Sequence, residues 1–354
     1  MKKEKSKVKK TLLNIALFLL LIILTFWLIL KDQNTEEIML AVDKAKKQYL
    51  LIGMIAMTIF ISCEAINVRR ILKGLGEKTT FFKNLKYALI GFFFSAITPA
   101  ATGGQPMEIY YMHKDGISVA NSTLALLVQL MSLQIVNLSV GITSVLFNYE
   151  VINNGGLVLL AIIGIILNSG ALVLLIIGIF SRRLSKGLIN IAVKILKFFR
   201  KKNIEELQEK MERELTKYQE DSEYIKKNKR VIIKSVLTTL VQMLVYYTVP
   251  FFVYKAYGLN EHCIIRIMSL QALLYTTVSG IPSPGSVGVS EGGFLGIFRN
   301  VFPETLINSA MILNRVINFY LLVTVSAVIV IICTLKDKKQ EKLEQKIENL
   351  EESE

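Results

Sequence analysis

Glu108, Glu291 and Arg315 are ionisable residues among apolar neighbours, and each lies in or shortly after a stretch that proline and glycine interrupt. The first stretch, TPAATGGQPMEIYYMHKDG, runs from Thr98 to Gly116, and the second, SGIPSPGSVGVSEGGFLGIF, from Ser279 to Phe298. A lone carboxylate in a helix at membrane depth costs on the order of 3 kcal/mol on insertion scales, so Glu291 needs compensation. Arg315, in MILNRVINFY, is the cation in the middle of the last long apolar segment and its natural partner. Opposite charges attract strongly in a low-dielectric setting, and a guanidinium keeps donors to spare for a phosphate. The competing reading is a buried ion pair that only holds helices together.

In the first stretch, Gly103 and Gly104 offer φ values closed to other residues and allow a backbone or head group to approach closely. Pro106 can open a half-helix whose free N–H groups and positive dipole end favour an anionic phosphate. Gln105 and Glu108 add polar contacts. In the second stretch Pro284, Gly285 and Gly288 break the helix ahead of Glu291. The expected substrate-binding set is therefore Gly103, Gly104, Gln105, Glu108, Pro284, Gly285, Gly288, Glu291 and Arg315. Tyr110, Tyr111 and His113 read as an interfacial belt. Glu64, in IFISCEAINVRR, reads as a snorkelling or locally paired acid near the inner boundary, and Arg266 and Arg299 as interfacial cations.

Other chemistry finds little footing. No phosphate-binding loop, HExxH or nucleophile elbow occurs, so no catalytic residue and no cofactor are expected. Cys63, Cys263 and Cys333 are far apart and only His113 and His262 could join them, which gives neither a disulfide framework nor a zinc spacing.

The elements that hold these residues belong to a membrane. Of 354 residues 52% are hydrophobic, mean hydropathy is +0.47, and several uncharged runs reach the ~20 residues a helix needs to cross a bilayer. The expected fold is an all-α polytopic membrane protein with about six full transmembrane helices and two broken or re-entrant hairpins. The first apolar run, LLNIALFLLLIILTFWLIL, is too long for a signal h-region and reads as a retained anchor. The net charge of +14 gathers beside the spans, which points to topology and anionic lipid rather than nucleic acid.

Loop charges then set the sides. KKEKSKVKK places the N-terminus in the cytoplasm, and residues 31–47 balance four lysines against four acids, as an outer loop would. The exit of the next span carries Arg69, Arg70, Lys73, Lys78, Lys83 and Lys86, and residues 181–230 hold 15 Lys/Arg against 8 Asp/Glu, so both lie inside. Three apolar stretches separate these two inner points, and parity requires that one not cross. The stretch that ends at Pro99 and Gly103-Gly104 is the candidate. In the second half, residues 263–300 must make zero or two crossings, either as half-helices broken at Pro282 and Pro284 or as two full spans. Two hairpins of this kind would enter from opposite faces and meet near the middle, as in inverted repeats.

The resulting plan is a first membrane half, 1–180, with its broken segment at 84–116, and a cytoplasmic linker, 181–230. A second half, 231–335, has its broken segment at 263–300, and a charged tail, 336–354, follows. In the linker Leu188, Ile191, Ile195 and Phe199 share one face, as in a helix lying in the membrane interface.

TPAATGGQPMEIYYMHKDGIS and PSPGSVGVSEGGFLGIF, with Arg315 in the last span, resemble the signature segments of the membrane region of lysylphosphatidylglycerol synthases. The resemblance covers about residues 10–335. It implies a flippase that moves aminoacylated phosphatidylglycerol between leaflets of the bacterial cell (inner) membrane, and the lysines at the start and at Lys336, Lys338 and Lys339 put both termini in the cytoplasm. In that family a separate cytoplasmic domain transfers lysine from lysyl-tRNA to the lipid, which protects against cationic antimicrobial peptides. No counterpart of that domain is read here, so phosphatidylglycerol lysyltransferase activity is the alternative only with a separate synthase protein, and a structural scaffold is the third reading. This sequence departs from the family where Gln105 stands for a frequent acid and Glu108 for a frequent base. The expected partner is an anionic or aminoacylated phospholipid, and a homo-oligomer stays open.

Overall fold

The structure is a computed structural model that describes residues 35–98, 101–148, 158–181 and 204–351, leaving out 280, 282, 283 and 287. The apolar run at 12–30, the amphipathic face at 184–199 and Pro282 lie outside the described residues. Among the described residues there is no strand. Five helices among the described residues are long and apolar enough to cross a membrane: Lys47–Gly74, Val119–Phe147, Ala161–Phe180, Lys229–Ala256 and Glu304–Lys336. The chain is therefore an all-α polytopic membrane protein.

In chain order the helices are α1 (Thr35–Lys44), α2 (Lys47–Gly74), α3 (Phe81–Ile97), α4 (Gly104–Lys114), α5 (Val119–Phe147) and α6 (Val158–Phe180). After the linker come α7 (Ile204–Lys227), α8 (Lys229–Tyr247), α9 (Val249–Ala256), α10 (Ile264–Val278), α11 (Val289–Ile297), α12 (Glu304–Arg315) and α13 (Leu321–Glu351). A π-helical turn, Val316–Tyr320, joins α12 to α13.

Helices α3 and α4 form the first hairpin. At 1.5 Å per residue they are about 25 and 16 Å long, short of a ~30 Å hydrocarbon core. Thr80 caps the start of α3 by accepting from the Lys83 N–H. Thr98 ends it in an extended conformation (φ −111°, ψ 145°), as the following Pro99 demands. The Thr98 hydroxyl donates to Phe94 O (2.6 Å) and accepts from the Gly103 N–H (2.9 Å), so the turn satisfies its own polar groups. The chain then returns to where it entered. Lys86 and Tyr87, at the start of α3, both bond to Asp115 just beyond α4.

Helices α10 and α11, about 22 and 14 Å long, form the second hairpin. Its ends also meet, since Tyr254 of α9 accepts from the His262 N–H (3.0 Å) and sets its ring edge-to-face with Phe302 at 5.6 Å. A polar ladder pins α10 to α5 and α6: Asn137 donates to Asn168 (3.1 Å) and accepts from Thr276 (3.0 Å), and Asn168 reaches Ser279 (3.1 Å). Side-chain bonds between apolar helices are the usual glue where water is excluded.

The two hairpins enter from opposite ends of the bundle, with α2 as the ruler. At the start of α2 the Lys46 N–H donates to Ala256 O (2.9 Å), two residues beyond the Tyr254 that gathers the second hairpin. Past its other end Glu77 accepts from Asn121 (2.7 Å) and pairs with Lys217 of α7 (3.5 Å), at the foot of the first. Loop charges lead to the same expectation of opposed hairpins, and residues 263–300 form two short helices, neither long enough for a full span.

Candidate functional site

The tips of the hairpins meet in a cavity of about 340 Å³. Gln105, Glu108, Gly285 and Arg315 of the expected set line it, joined by Glu64, Ser95, Gln271 and Asn318.

Arg315 sits at the end of α12, where the π-helical turn begins, and is 6% exposed. Its Nε donates to Glu291 Oε1 (2.8 Å) and its Nη2 to Gly285 O (3.0 Å). The guanidinium lies 4.4 Å over the Phe319 ring, so charge, hydrogen bonds and a π face all hold it. Glu291, 8% exposed, spends its other oxygen on the Gly288 N–H (2.7 Å), which caps α11. The expected pair is real. It is also the joint between the second hairpin and the last span.

Gly285 and Gly288 have φ of +58° and +81°, a region that favours glycine. At Gly285 an added Cβ would also run into the Phe319 ring, and it would lie 3.3 Å from Ala96 O at the end of α3. Pro284 begins the short 3₁₀ turn, Pro284–Ser286, that carries this contact. Gly288 faces open space and acts through its N–H rather than as cavity wall.

Gly103 and Gly104 do a different job from the one expected. Gly103 has an ordinary helical conformation (φ −83°, ψ −18°), so conformational freedom is not its use. An added Cβ would lie 3.1 Å from Phe94 O at Gly103 and 2.8 Å from Gly91 O at Gly104. The pair lets α4 press against α3, and neither residue lines the cavity.

That close approach positions Glu108. Only 3% exposed, it packs on Gly91, where a Cβ would lie 2.7 Å from the Glu108 Cγ, and its Oε2 has no hydrogen-bond partner. Glu64 also faces the cavity, with the Gln242 side chain beside it, and is not the snorkelling acid that its position suggests. No cation stands three or four residues from it in sequence, a signal that would have marked it. Gly91 carries a weaker signal, a glycine inside an apolar helix. Tyr110 is exposed and Tyr111 buried, and His113 lies against Ile117 O (3.3 Å) outside the site. Arg266 donates to Asn148 (2.6 Å), away from the cavity.

The family model described as "Lysylphosphatidylglycerol synthase TM region" matches residues 12–326. The chain belongs to that family. A curated relative, a "UPF0104 membrane protein" of Archaeoglobus fulgidus, is 22% identical over 322 residues, which is 88% of this chain and 94% of the relative. The matched region contains both hairpins and the Glu291–Arg315 pair. Among the described residues no group of His, Cys, Asp or Glu could hold a metal ion.

Proposed function

We propose that this chain is a lipid transporter of the flippase type, which moves a phospholipid between the leaflets of a bacterial inner membrane with both termini in the cytoplasm. The observation that carries this reading is the cavity itself. It lies between two half-length hairpins that enter from opposite ends, the arrangement that lets a site be reached from either side in turn. Its volume is at the lower end of ligand pockets, roughly 300–1,000 Å³, and suits a head group whose acyl chains stay in lipid. Arg315, on the cavity wall, offers a charged contact for the phosphate. Gln105 and Glu108 face it from the first hairpin, Gly285 and Arg315 from the second hairpin and the last span. Family membership supports the membrane setting, and aminoacylated phosphatidylglycerol is one substrate to try.

The test is transport by purified protein in liposomes with acyl-labelled lipids, compared between the wild type and Glu291→Leu combined with Arg315→Met. The double variant should insert and fold, because replacing both members of a buried pair is often nearly neutral for stability. Its lipid movement should be lost. Wild-type rates in the double variant would refute the role of the pair and leave it as bundle glue.

A further inference from the structure

The cavity contains more acceptors than its own donors satisfy. Glu64 and Glu108 both line it, and their charges repel each other. Among the described residues no lysine, arginine or histidine pairs with either. Glu108 Oε2 is joined by two more unpartnered cavity oxygens, Gln271 Oε1 and Asn318 Oδ1, on residues 2% and 6% exposed. Buried polar atoms are nearly always satisfied. All three orphans are acceptors, so the partner brings N–H or O–H donors, and the two carboxyls favour one that also carries positive charge.

The surroundings narrow that partner further. Among the groups lining the cavity, α8 presents Tyr246, α10 presents Tyr275, α3 presents Gly91 and Ser95, and α5 presents only Leu130 and Leu133. The cation in the wall is Arg315, already committed to Glu291 and Gly285 O. Gly91 keeps open the space that the Glu108 side chain fills, so the carboxyl is held in place. Two acids, the half-buried Glu64 and the buried Glu108, therefore share one cavity in which no cation among the described residues is paired to either, and a buried charge is stable only when paired.

We propose that Glu64 and Glu108 form a site for a single cation, which holds a proton while the cavity is empty and releases it when the ammonium of a cationic head group enters. In the empty state one carboxyl is neutral and the other ionised. On entry the O–H bond breaks, the proton leaves to water, and both carboxylates accept from the ammonium. The site carries one net negative charge before and after, so the exchange needs no other ion. A head group carried one way then returns a proton the other way, and a pH gradient sets the direction. The proton half stands on the cavity that the two acids share and on the unpartnered Glu108 oxygen, and does not need the lipid-transport reading. The head-group half rests on the lipid-transport reading above.

Two measurements test the halves separately. Dicyclohexylcarbodiimide modifies protonated carboxyl groups in apolar surroundings, and peptide mass spectrometry locates the adduct on the purified full chain. Modification of Glu64 or Glu108 at neutral pH is expected, and phosphatidylethanolamine in the micelle should lower it several-fold while phosphatidylglycerol does not. No adduct on either residue would overturn the proton site, and equal protection by both lipids would overturn the ammonium exchange. In proteoliposomes, acyl-labelled phosphatidylethanolamine should redistribute between leaflets under a pH gradient and reverse when the gradient is reversed. Glu108→Gln should lose that response and Glu108→Asp keep it. Lipid movement indifferent to the gradient would sink the coupling while sparing the transport reading. Adducts on Glu64 or Glu108 without any lipid movement would do the opposite. Should Glu108→Gln fail to fold, the adduct and the gradient on wild-type protein still decide.

Discussion

The two hairpins treat a buried acid in opposite ways. In the second, Glu291 has a dedicated arginine on one oxygen and a backbone N–H on the other, so its charge is fully answered by the protein. In the first, Glu108 is more deeply buried yet one oxygen has no partner. A satisfied group holds structure together, and an unsatisfied one is poised to bind, because an orphaned buried acceptor costs about 1–3 kcal/mol that a ligand can recover. The difference separates, within one cavity, a carboxylate whose acceptors are filled by the protein from one that keeps acceptor capacity for a ligand.

The largest effect tests whether the hairpins are opposed at all. Cysteines at Lys114→Cys and Glu261→Cys, both exposed at hairpin feet, should react with an impermeant reagent from opposite sides of the membrane, each all or none. Labelling of both from one side would remove the geometry on which the comparison stands. Next comes the joint. Arg315→Met alone strands Glu291 and should cost roughly 3–5 kcal/mol, seen as a lower unfolding temperature in detergent, and adding Glu291→Leu should restore most of it. Equal stability of the single and double variants would show that the pair is not a joint.

Smaller effects separate the glycines. Gly104→Ala puts a methyl against Ser95 and Gly91 O, and overpacking of that kind costs about 1–3 kcal/mol. It should also shift Glu108 and impair transport. Gly288→Ala meets no atom and pays only for its positive φ, about 1 kcal/mol. A reversed order in thermal unfolding would mean that φ, not helix contact, governs the hairpins.

The smallest effect concerns the foot of the first hairpin, outside the membrane. Burial pushes the Asp115 carboxyl up, but hydrogen bonds from Lys86 and Tyr87 and the nearby lysine charges outweigh it and hold the group below its usual range. A depressed value means that the contribution is present above the unfolded carboxyl range, near 3.9, and is lost as pH falls through the folded one. Stability should therefore fall on acidification below about pH 4 by less than about 1 kcal/mol, and Asp115→Asn should remove that component. A wild-type profile that the variant reproduces would exclude Asp115 as its source.

Much of the molecule was legible in the order of its residues. Run length and charge parity specify an all-helical membrane chain, because lipid leaves backbone groups no partner and translocation sorts lysine and arginine by side. The same parity marks the stretch ending at Pro99 as the candidate not to cross, and rarity of charge in apolar helices pairs Glu291 with Arg315. These are properties of local composition, and local composition is what a sequence displays. Tertiary packing decided the rest. It chose two short helices for 263–300, turned Gly103 and Gly104 from head-group contacts into a seam between two helices, and brought Glu64 from another span to the cavity that Glu108 lines. Each of those outcomes depends on which helix faces lie within a few ångströms of each other, a distance fixed by contacts between residues remote in sequence, such as Asn137 with Thr276 and Gly285 with Ala96.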